Sequence, residues 1–211
     1  MTETNYKSQG RPNPAAKPLL LVISGPSGAG KDAVSARMKE LGYSLRYIVT
    51  VTTRPKRSNE KGNVNYHFVS RKSFQKMLEH GELLEWASVY GNWYGVPKQP
   101  VKEALDKGRD IIVKVDIQGA ITIRKLMPQA VLIFLMPSSM TELAIRLRER
   151  NTESAASLAL RLKTAKEEVK NLPLFDYVVI NKRNKIDQVV SDIMAIITAE
   201  KCRVTPREVS L

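Results

Sequence analysis

The feature that most constrains the fold is an apolar run that leads directly into a glycine-rich turn. Residues 19–24 read LLLVIS, a pattern typical of a strand buried on both faces of a parallel sheet. Residues 25–31 match G-x-x-x-x-G-K at every fixed position, and a helical pattern covers residues 33–41. Glycines let backbone N–H groups converge on phosphate oxygens, and the helix start adds its positive dipole end. Strand, turn and helix therefore predict a phosphate-binding loop.

Further strand-like runs alternate with helical patterns along the rest of the chain. The predicted strands lie at residues 111–115, 131–136 and 177–180. The predicted helices lie at residues 101–107, 120–126, 141–150, 155–171 and 186–200. This alternation predicts an α/β fold with a doubly wound parallel sheet. Together with the phosphate-binding loop after the first strand, it leads us to expect a fold of the P-loop NTPase type.

Two stretches interrupt the alternation. Residues 50–94 are polar and rich in aromatic residues, Arg and Gly, and they indicate short strands with a helix at 73–80. Residues 138–173 are almost entirely helical in pattern and strongly basic. We expect both to be inserts at the carboxyl edge of the sheet, where open α/β folds bind ligands. The predicted division is a disordered tail at residues 1–17, a core at 18–49, 95–137 and 174–211, an insert at 50–94 and a helical lid at 138–173.

The net charge indicates the class of binding partner, and the cysteine content indicates the cellular compartment. Lys and Arg number 34 against 21 Asp and Glu, so the formal net charge of +13 favours an anionic partner, whether a nucleotide, a nucleic acid or an acidic surface. The single cysteine, Cys202, excludes an internal disulfide and a thiolate metal cluster, which suits a reducing cytoplasm. No run reaches 18 apolar residues and the first 17 residues lack the apolar region of a signal peptide. We therefore expect a cytoplasmic protein without a membrane span.

Residues of the insert indicate a second anion site next to a base pocket. Arg54 and Arg57 stand three apart with Tyr66 nearby, and fork-shaped guanidinium donors are suited to clamping a phosphate dianion. Glu85 lies in the segment LEWA, close to the aromatic segment YGNWYG at residues 90–95. A carboxylate beside aromatic rings suits guanine, because the Watson–Crick edge of guanine presents two adjacent donors.

Taken in order along residues 19–200, these segments resemble the guanylate kinase family. They are the phosphate loop, TTRPKR with Glu60 three residues later, the segment GNVNYHFVS, LEWA, YGNWYG, DIQGA at residues 116–120 and RLRER at residues 146–150. The resemblance implies transfer of the γ-phosphoryl group of ATP to GMP, with Mg²⁺ as MgATP. It also implies a core, a GMP-binding insert and a mobile lid.

The resemblance assigns roles to individual residues. ATP would be bound by Gly25, Ser27, Gly28, Ala29, Gly30, Lys31, Asp32 and Asn181. The GMP phosphate would be held by Arg54, Arg57, Tyr66 and Tyr94, with Glu85 and Thr50 at the base and Glu60 and Asp116 as further polar contacts. The catalytic cations would be Lys31, Arg146, Arg150 and Arg161. Catalysis would rest on positioning the reacting groups and on stabilising the charge that spreads over the transferring phosphoryl group.

Three positions depart from the family pattern. Asp32 stands where the loop normally has a Ser or Thr hydroxyl that binds Mg²⁺, and Lys114 stands where the family usually has an acid two residues before Asp116. Our hypothesis is that Asp32 and Lys114 form an ion pair in part of the usual metal-binding site. Mg²⁺ would then be displaced, or held mainly by nucleotide oxygens and water. Two alternatives stay open: Asp32 ligates Mg²⁺ while Lys114 faces phosphate, or the two changes have little effect. Val96 replaces a hydroxyl near the base, and we expect GMP still to be preferred over AMP.

Other functions are compatible with parts of this pattern. A guanylate kinase-like domain can act as a protein-binding module with little or no catalysis, and a related fold could phosphorylate another phosphorylated acceptor, such as a ribose bisphosphate. Nucleic-acid binding has only the net charge in its favour, since the basic residues lie largely in the lid and the insert. The sequence leaves the oligomeric state and the use of dGMP open.

Overall fold

A computed structural model describes residues 17–57, 60, 62, 64–149 and 155–211 of the chain. The predicted disordered tail lies outside the described residues except for Lys17, and so does Arg150. The strands are β1 (Leu20–Ser24), β2 (Arg46–Tyr47), β3 (Val51–Thr52), β4 (His67–Phe68), β5 (Leu83–Val89), β6 (Asn92–Pro97), β7 (Ile111–Lys114), β8 (Val131–Pro137) and β9 (Tyr177–Asn181). The helices are α1 (Lys31–Glu40), α2 (Arg71–Glu79), α3 (Lys98–Asp106), α4 (Ile117–Leu126), α5 (Met140–Glu149), α6 (Ala155–Val169) and α7 (Ile186–Lys201), with a 3-10 turn at Leu172–Leu174.

The larger sheet has helices packed on both of its faces. Its strands are all parallel and run in the order β2-β7-β1-β8-β9. Leu21 and Ile23 of β1 point into a core shared with α1 and α7, whereas Leu20 and Val22 point into a core shared with α3 and α4. A strand buried on both sides must be continuously apolar, which explains the run at residues 19–24. The predicted doubly wound parallel α/β fold is confirmed.

The strand order places a ligand crevice at the end of β1. The chain leaves β1 through α1, and its two sheet neighbours, β7 and β8, come later in sequence on opposite sides of it. In open α/β sheets this reversal leaves a gap at the carboxyl ends of the strands. Residues 25–31, here called the phosphate loop, lie directly after β1 and therefore at this gap.

The insert forms a second, mixed sheet with the order β4-β3-β6-β5. Its hairpin strands β5 and β6 pair from Val89–Asn92 to Leu83–Pro97, and α2 covers one face. Phe74 of α2 lies 5.6 Å from Trp93 and 6.5 Å from Trp86 between ring centroids. Strand β6 runs through the predicted boundary at 94/95, and α3 follows it directly. The insert is therefore joined to the core by a continuous strand, and the exact division stays a prediction.

The lid pairs α5 with α6 through a small apolar core. Leu143 and Leu147 of α5 are buried with Ala165 of α6. The same leucines reach the phosphate loop, since a Cβ built on Gly28 would lie 2.8 Å from Leu143 Cδ1. The lid helices are thus packed against the loop that they are expected to cover.

Some element boundaries were wrong, and one strand was not indicated. Helices α1, α2, α3 and α4 begin two or three residues earlier than predicted. The first three begin with polar residues that carry no apolar pattern, whereas the cap of α4 was not recognised. The side chain of Asp116 caps α4 by accepting from the Gly119 N–H at 3.0 Å. Strand β2 has two residues and depends on pairing with β7, so no local pattern marks it. Within the described part of the chain, no helix is both long enough and apolar enough to cross a membrane.

Candidate functional site

The phosphate loop follows β1 in a conformation that requires glycine. Gly25, Gly28 and Gly30 have positive φ angles of 142°, 95° and 100°. A Cβ on Gly25 would lie 2.1 Å from the carbonyl oxygen of Leu135, which is backbone and cannot move aside. Gly30 precedes α1 as a cap without a side chain, so no side-chain hydrogen bond closes the helix start. The N–H groups of the first turn therefore face the crevice, where they suit an anion.

Lys31 is the first residue of α1, and its ammonium group is folded onto the loop. It donates to the carbonyl oxygen of Gly25 and, at 3.3 Å, to that of Pro26. Both acceptors are neutral, and charged phosphate oxygens accept stronger hydrogen bonds from an ammonium group. Lys31 is thus positioned to exchange these carbonyl contacts for phosphate.

Two lid arginines and Asn181 meet at the phosphate loop. Arg146 donates to the carbonyl oxygen of Asn181 at 2.8 Å and is paired with Glu142 of its own helix. The Asn181 amide donates to the carbonyl oxygen of Ala29 at 2.7 Å. Arg161 donates to Ser27 Oγ at 2.8 Å. The structure thus brings Arg146, Arg161 and Asn181 to the loop as expected, whereas Arg150 lies outside the described residues.

The acceptor cluster, formed by Arg54, Arg57, Glu60, Tyr66 and Tyr94, lies in the insert. Arg54 donates to Glu60 Oε1 at 2.7 Å, and the Arg57 N–H donates to Glu60 Oε2 at 2.8 Å. Burial would raise the pKa of Glu60, but hydrogen bonds from these arginines and their charges hold it below its usual range. The Arg54 guanidinium lies 5.5 Å from the Tyr66 ring centroid, and the rings of Tyr66 and Tyr94 are 6.0 Å apart. Burial raises the pKa of Tyr66, so its hydroxyl stays protonated and can donate.

The expected base pocket centres on a buried carboxyl group. The Glu85 residue is 4% exposed, and its Oε2 makes no hydrogen bond to any described residue. Burial, followed by the charge of Asp116, raises the pKa of Glu85 to about 8. A buried polar atom without a partner is costly, and a base that presents adjacent donors would supply the missing hydrogen bonds.

Thr50, Val96 and Asp116 are the other residues expected at this pocket. The Thr50 hydroxyl donates to the carbonyl oxygen of Lys114 at 3.2 Å, at the end of β7. Val96 lies opposite Glu85 in the β5–β6 pair and is fully buried in the apolar core. The hydroxyl lost at position 96 is therefore replaced by packing. Burial raises the pKa of Asp116, although the backbone N–H of Gly119 and the charge of Lys31 act to lower it.

Asp32 and Lys114 form an ion pair between the loop and β7. Lys114 Nζ lies 2.5 Å from Asp32 Oδ1, and the side chains are 11% and 44% exposed respectively. The same ammonium nitrogen lies 5.5 Å from the Tyr66 ring centroid, so Lys114 also faces the acceptor cluster. The ion pair thus links the phosphate loop to the acceptor cluster across the crevice.

The residues around this pair fit Mg²⁺ poorly as direct ligands. Mg²⁺ prefers an octahedral shell of oxygen ligands, usually with several waters. One Asp32 oxygen already accepts a hydrogen bond from a lysine, which brings positive charge to the place of the expected acid. Across the described ranges, no group of three or more His, Cys, Asp or Glu side chains could hold a metal ion. Metal binding here would depend chiefly on nucleotide oxygens and water.

Two residues at the site were missed by sequence analysis. Tyr90 sits at the β5–β6 turn with a φ of 48°, and its ring centroid lies 4.8 Å from Arg161 Cζ. Glu168 of α6 has a buried Oε2 with no hydrogen bond to a described residue; burial raises its pKa, whereas the charge of Lys31 lowers it. Glu168 follows Arg161 by seven residues, which is two helical turns, so their shared helix face was the available signal. Tyr90 begins the aromatic segment at residues 90–95 that the sequence analysis singled out, but nothing in that segment marked it as a partner of Arg161.

Known proteins resemble this chain over nearly all of its length. The family model described as guanylate kinase matches residues 17–200. The guanylate kinase of Carboxydothermus hydrogenoformans is 42% identical over 187 residues, covering 89% of this chain and 91% of the relative. That of Halalkalibacterium halodurans is 44% identical over 187 residues, covering 89% and 91%. A crystal structure of guanylate kinase from Anaplasma phagocytophilum is 33% identical, with a TM-score of 0.75, and the match covers 90% of this chain and 89% of that one.

Proposed function

Because the chain belongs to the guanylate kinase family, and is therefore a nucleoside monophosphate kinase, we propose that it transfers the γ-phosphoryl group of ATP to GMP. The products are ADP and GDP. One observation carries the proposal: an ion pair joins the phosphate loop to the acceptor cluster. Asp32, the residue after Lys31, pairs with Lys114, and the ammonium group of Lys114 faces the ring of Tyr66. Two anion sites that face one crevice suit transfer of a phosphoryl group between two nucleotides.

ATP binds with its phosphates on the phosphate loop. Backbone N–H groups of residues 25–31 and of the first turn of α1 hold the phosphate oxygens, helped by the side chains of Ser27 and Lys31. Asn181 lies against Ala29 of the loop, at the end of β9. This position supports its assignment as a contact for the adenine of ATP.

GMP binds with its phosphate at the acceptor cluster and its base at Glu85. Donors for a dianion come from Arg54, Arg57, Tyr66 and Tyr94. Glu60 accepts from the Arg54 guanidinium with one oxygen and from the Arg57 backbone N–H with the other, which fixes this part of the cluster. Guanine then donates to the Glu85 carboxylate, with Thr50 and Asp116 beside it. None of these assignments involves the ribose 2′-hydroxyl, so we expect dGMP to be accepted as well.

Charge stabilisation by fixed cations accounts for the catalysis. The transferring phosphoryl group carries charge on its equatorial oxygens, and donors that already point at this charge need little reorganisation. Lys31 lies in the phosphate loop, and Arg146 and Arg161 contact that loop or its neighbour Asn181 from the lid helices. Arg150 is the fourth cation that the family resemblance assigns. A lid packed over the loop also excludes water, which limits hydrolysis of ATP.

Mg²⁺, bound as MgATP, would neutralise charge on the polyphosphate. Because the Asp32–Lys114 ion pair would occupy part of the usual metal-binding position, the metal would be held mainly by nucleotide oxygens and water. Calorimetric titration of ATP, with and without Mg²⁺, compares the wild type with Asp32→Ser/Lys114→Glu. We expect Mg²⁺ to strengthen ATP binding more in the double variant. Equal magnesium effects in both proteins would contradict the ion-pair explanation, and loss of the effect in Asp32→Asn alone would favour direct ligation by Asp32.

A coupled assay of ADP release tests the activity itself. The acceptors are GMP, dGMP, AMP and UMP, with a reaction without acceptor as the control. We expect turnover with GMP and dGMP and little with AMP or UMP. AMP phosphorylated as efficiently as GMP would overturn the base assignment. Absence of turnover with every acceptor would instead favour a protein-binding module, and turnover with another phosphorylated acceptor would redirect the substrate class.

A further inference from the structure

Lys114 is a largely buried cation placed between the two anion sites. Its side chain is only 11% exposed at the carboxyl end of β7. Its ammonium group donates to Asp32 on one side and lies 5.5 Å from the Tyr66 ring centroid on the other. Long basic side chains are seldom buried to this degree without a partner on which they depend.

The charges around Lys114 favour an anion on its acceptor side. Arg54 also lies 5.5 Å from the Tyr66 ring centroid, so two cations share this ring. Lys39 is near enough that the charge of Lys114 adds to burial in lowering the pKa of Lys39. Asp32 offsets part of this positive charge, but its side chain is 44% exposed and retains contact with water.

We propose that Lys114 is an acceptor-binding residue whose ammonium group leaves Asp32 and binds the phosphate of GMP when GMP enters. This inference rests on the proposed function, because it takes the acceptor cluster as the seat of the GMP phosphate. A phosphate dianion carries more charge than a carboxylate and offers three acceptor oxygens, so it competes well for the ammonium group. Asp32, once released, is exposed enough to be solvated.

This role gives the charge reversal at position 114 a direct effect on the acceptor. A charge-assisted hydrogen bond typically changes affinity by about tenfold or more. We therefore expect Lys114→Met to raise the Kd of GMP by at least about tenfold while the Kd of ATP changes little. Asp32→Asn removes the competing carboxylate and is expected to tighten GMP binding.

Calorimetric titration with GMP in the absence of ATP and Mg²⁺ measures this contact without turnover. Lys39→Met is the matched control, because it removes the same charge from a nearby lysine whose ammonium group faces Tyr47 instead, 5.0 Å from that ring centroid. We expect the Kd of GMP for Lys39→Met to lie within about twofold of the wild-type value, because solvent and salt screen a charge that does not contact the ligand. The Kd of ATP is measured separately for each variant.

The outcomes separate this inference from the proposed function. If the wild type binds GMP and Lys114→Met binds it equally well, Lys114 does not contact the acceptor although the proposed function stands. A loss of ATP affinity instead of GMP affinity would also overturn the inference, since Lys114 would then face the donor. Should Lys114→Met fail to fold, unchanged or weaker GMP binding by Asp32→Asn overturns it. A wild type that does not bind GMP removes the proposed function and this inference together.

Discussion

The guanidinium carbon of Arg161 lies 4.8 Å from the centre of the Tyr90 ring, so a lid arginine rests on the tip of the insert. The same arginine donates to Ser27 of the phosphate loop at 2.8 Å. Lid, loop and insert therefore meet at a single guanidinium group. A change at the hairpin tip should alter how this arginine is oriented.

Replacing Tyr90 tests this orientation. We expect Tyr90→Ala to lower kcat by roughly two- to fivefold, because an exposed cation–π contact stabilises by about 0.5–1 kcal/mol. The KM for ATP should change less, since the ring of Tyr90 packs on a lid arginine at the tip of the insert. Steady-state kinetics at saturating GMP measure both constants. Tyr90→Phe keeps the ring and should restore kcat; if it is as slow as Tyr90→Ala, the ring contact is not the cause.

Glu85 should make the stability of the ligand-free protein depend on pH. Its pKa is raised from an ordinary 4.5 to about 8, so the folded state holds a proton that the unfolded chain has lost. The free energy of unfolding therefore falls as pH rises between these values, by up to about 1.4 kcal/mol per pH unit from this group. Urea unfolding from pH 5 to 8 measures the slope. Glu85→Gln should flatten it, whereas Glu79→Gln on the exposed face of α2 should not.

The same carboxyl group should make GMP binding depend on pH. In the proposed complex guanine presents two donors to Glu85, so it would bind the ionised carboxylate and the proton would have to be released. The Kd of GMP should fall as pH rises from 7 to 8, by at most about tenfold. This range lies above the second ionisation of phosphate, near pH 6, which would otherwise contribute. A Kd that is constant over this range in calorimetry would show that Glu85 is already ionised.

Gly119 should be required by the base pocket although it lies in a helix. A Cβ at this position would lie 2.7 Å from Glu85 Oε2, so Gly119→Ala must displace the carboxyl group. Alanine favours the helix by about 1 kcal/mol, and the fold should therefore persist. We expect the KM for GMP to rise about tenfold, because losing a hydrogen bond to a charged group, here the Glu85 carboxylate, has an effect of this size. The KM for ATP should stay unchanged. Kinetics with each substrate varied in turn test this, and a parallel rise in both constants would contradict it.

The C-terminal segment should contribute to stability through a buried ion pair. Arg207 donates twice to Glu200 at 2.9 Å, and the Glu200 side chain is 0% exposed. Arg207→Ala leaves that carboxylate buried without its main cation and should cost about 3 kcal/mol of unfolding free energy. Arg203 approaches Glu200 at 3.6 Å but is 49% exposed, so Arg203→Ala should cost less than about 1 kcal/mol. Urea unfolding compares the two, and equal losses would refute the difference.

Local patterns predicted the central strands and the phosphate loop because both are encoded in neighbouring residues. Residues 25–31 carry their own conformational requirement, since Gly25, Gly28 and Gly30 take positive φ angles that favour glycine. The start of α4 was misplaced because its cap, Asp116, was not recognised as the first-turn acceptor. Strand β2 could not be predicted, because its pairing comes from β7 rather than from its own two residues.

Long-range contacts were predictable only where charge gave a signal. Asp32 and Lys114 are 82 residues apart, and the reversal of charge at 114 together with a new acid at 32 suggested their pairing. The contact between Tyr90 and Arg161 joins residues without complementary charge, and it depends on how the lid and the hairpin meet. Roles in binding ATP and GMP stay predictions for each residue until the proposed titrations are done.

The aromatic packing in the insert gives the protein an intrinsic optical probe. Its two tryptophans, Trp86 and Trp93, are neighbours with ring centroids 5.9 Å apart, and Arg71 lies 5.1 Å from the Trp93 ring centroid. Both report on the insert, so emission excited in the tryptophan band would follow acceptor binding without an attached dye. Events confined to the lid or to the opposite face of the core sheet would leave that emission nearly constant.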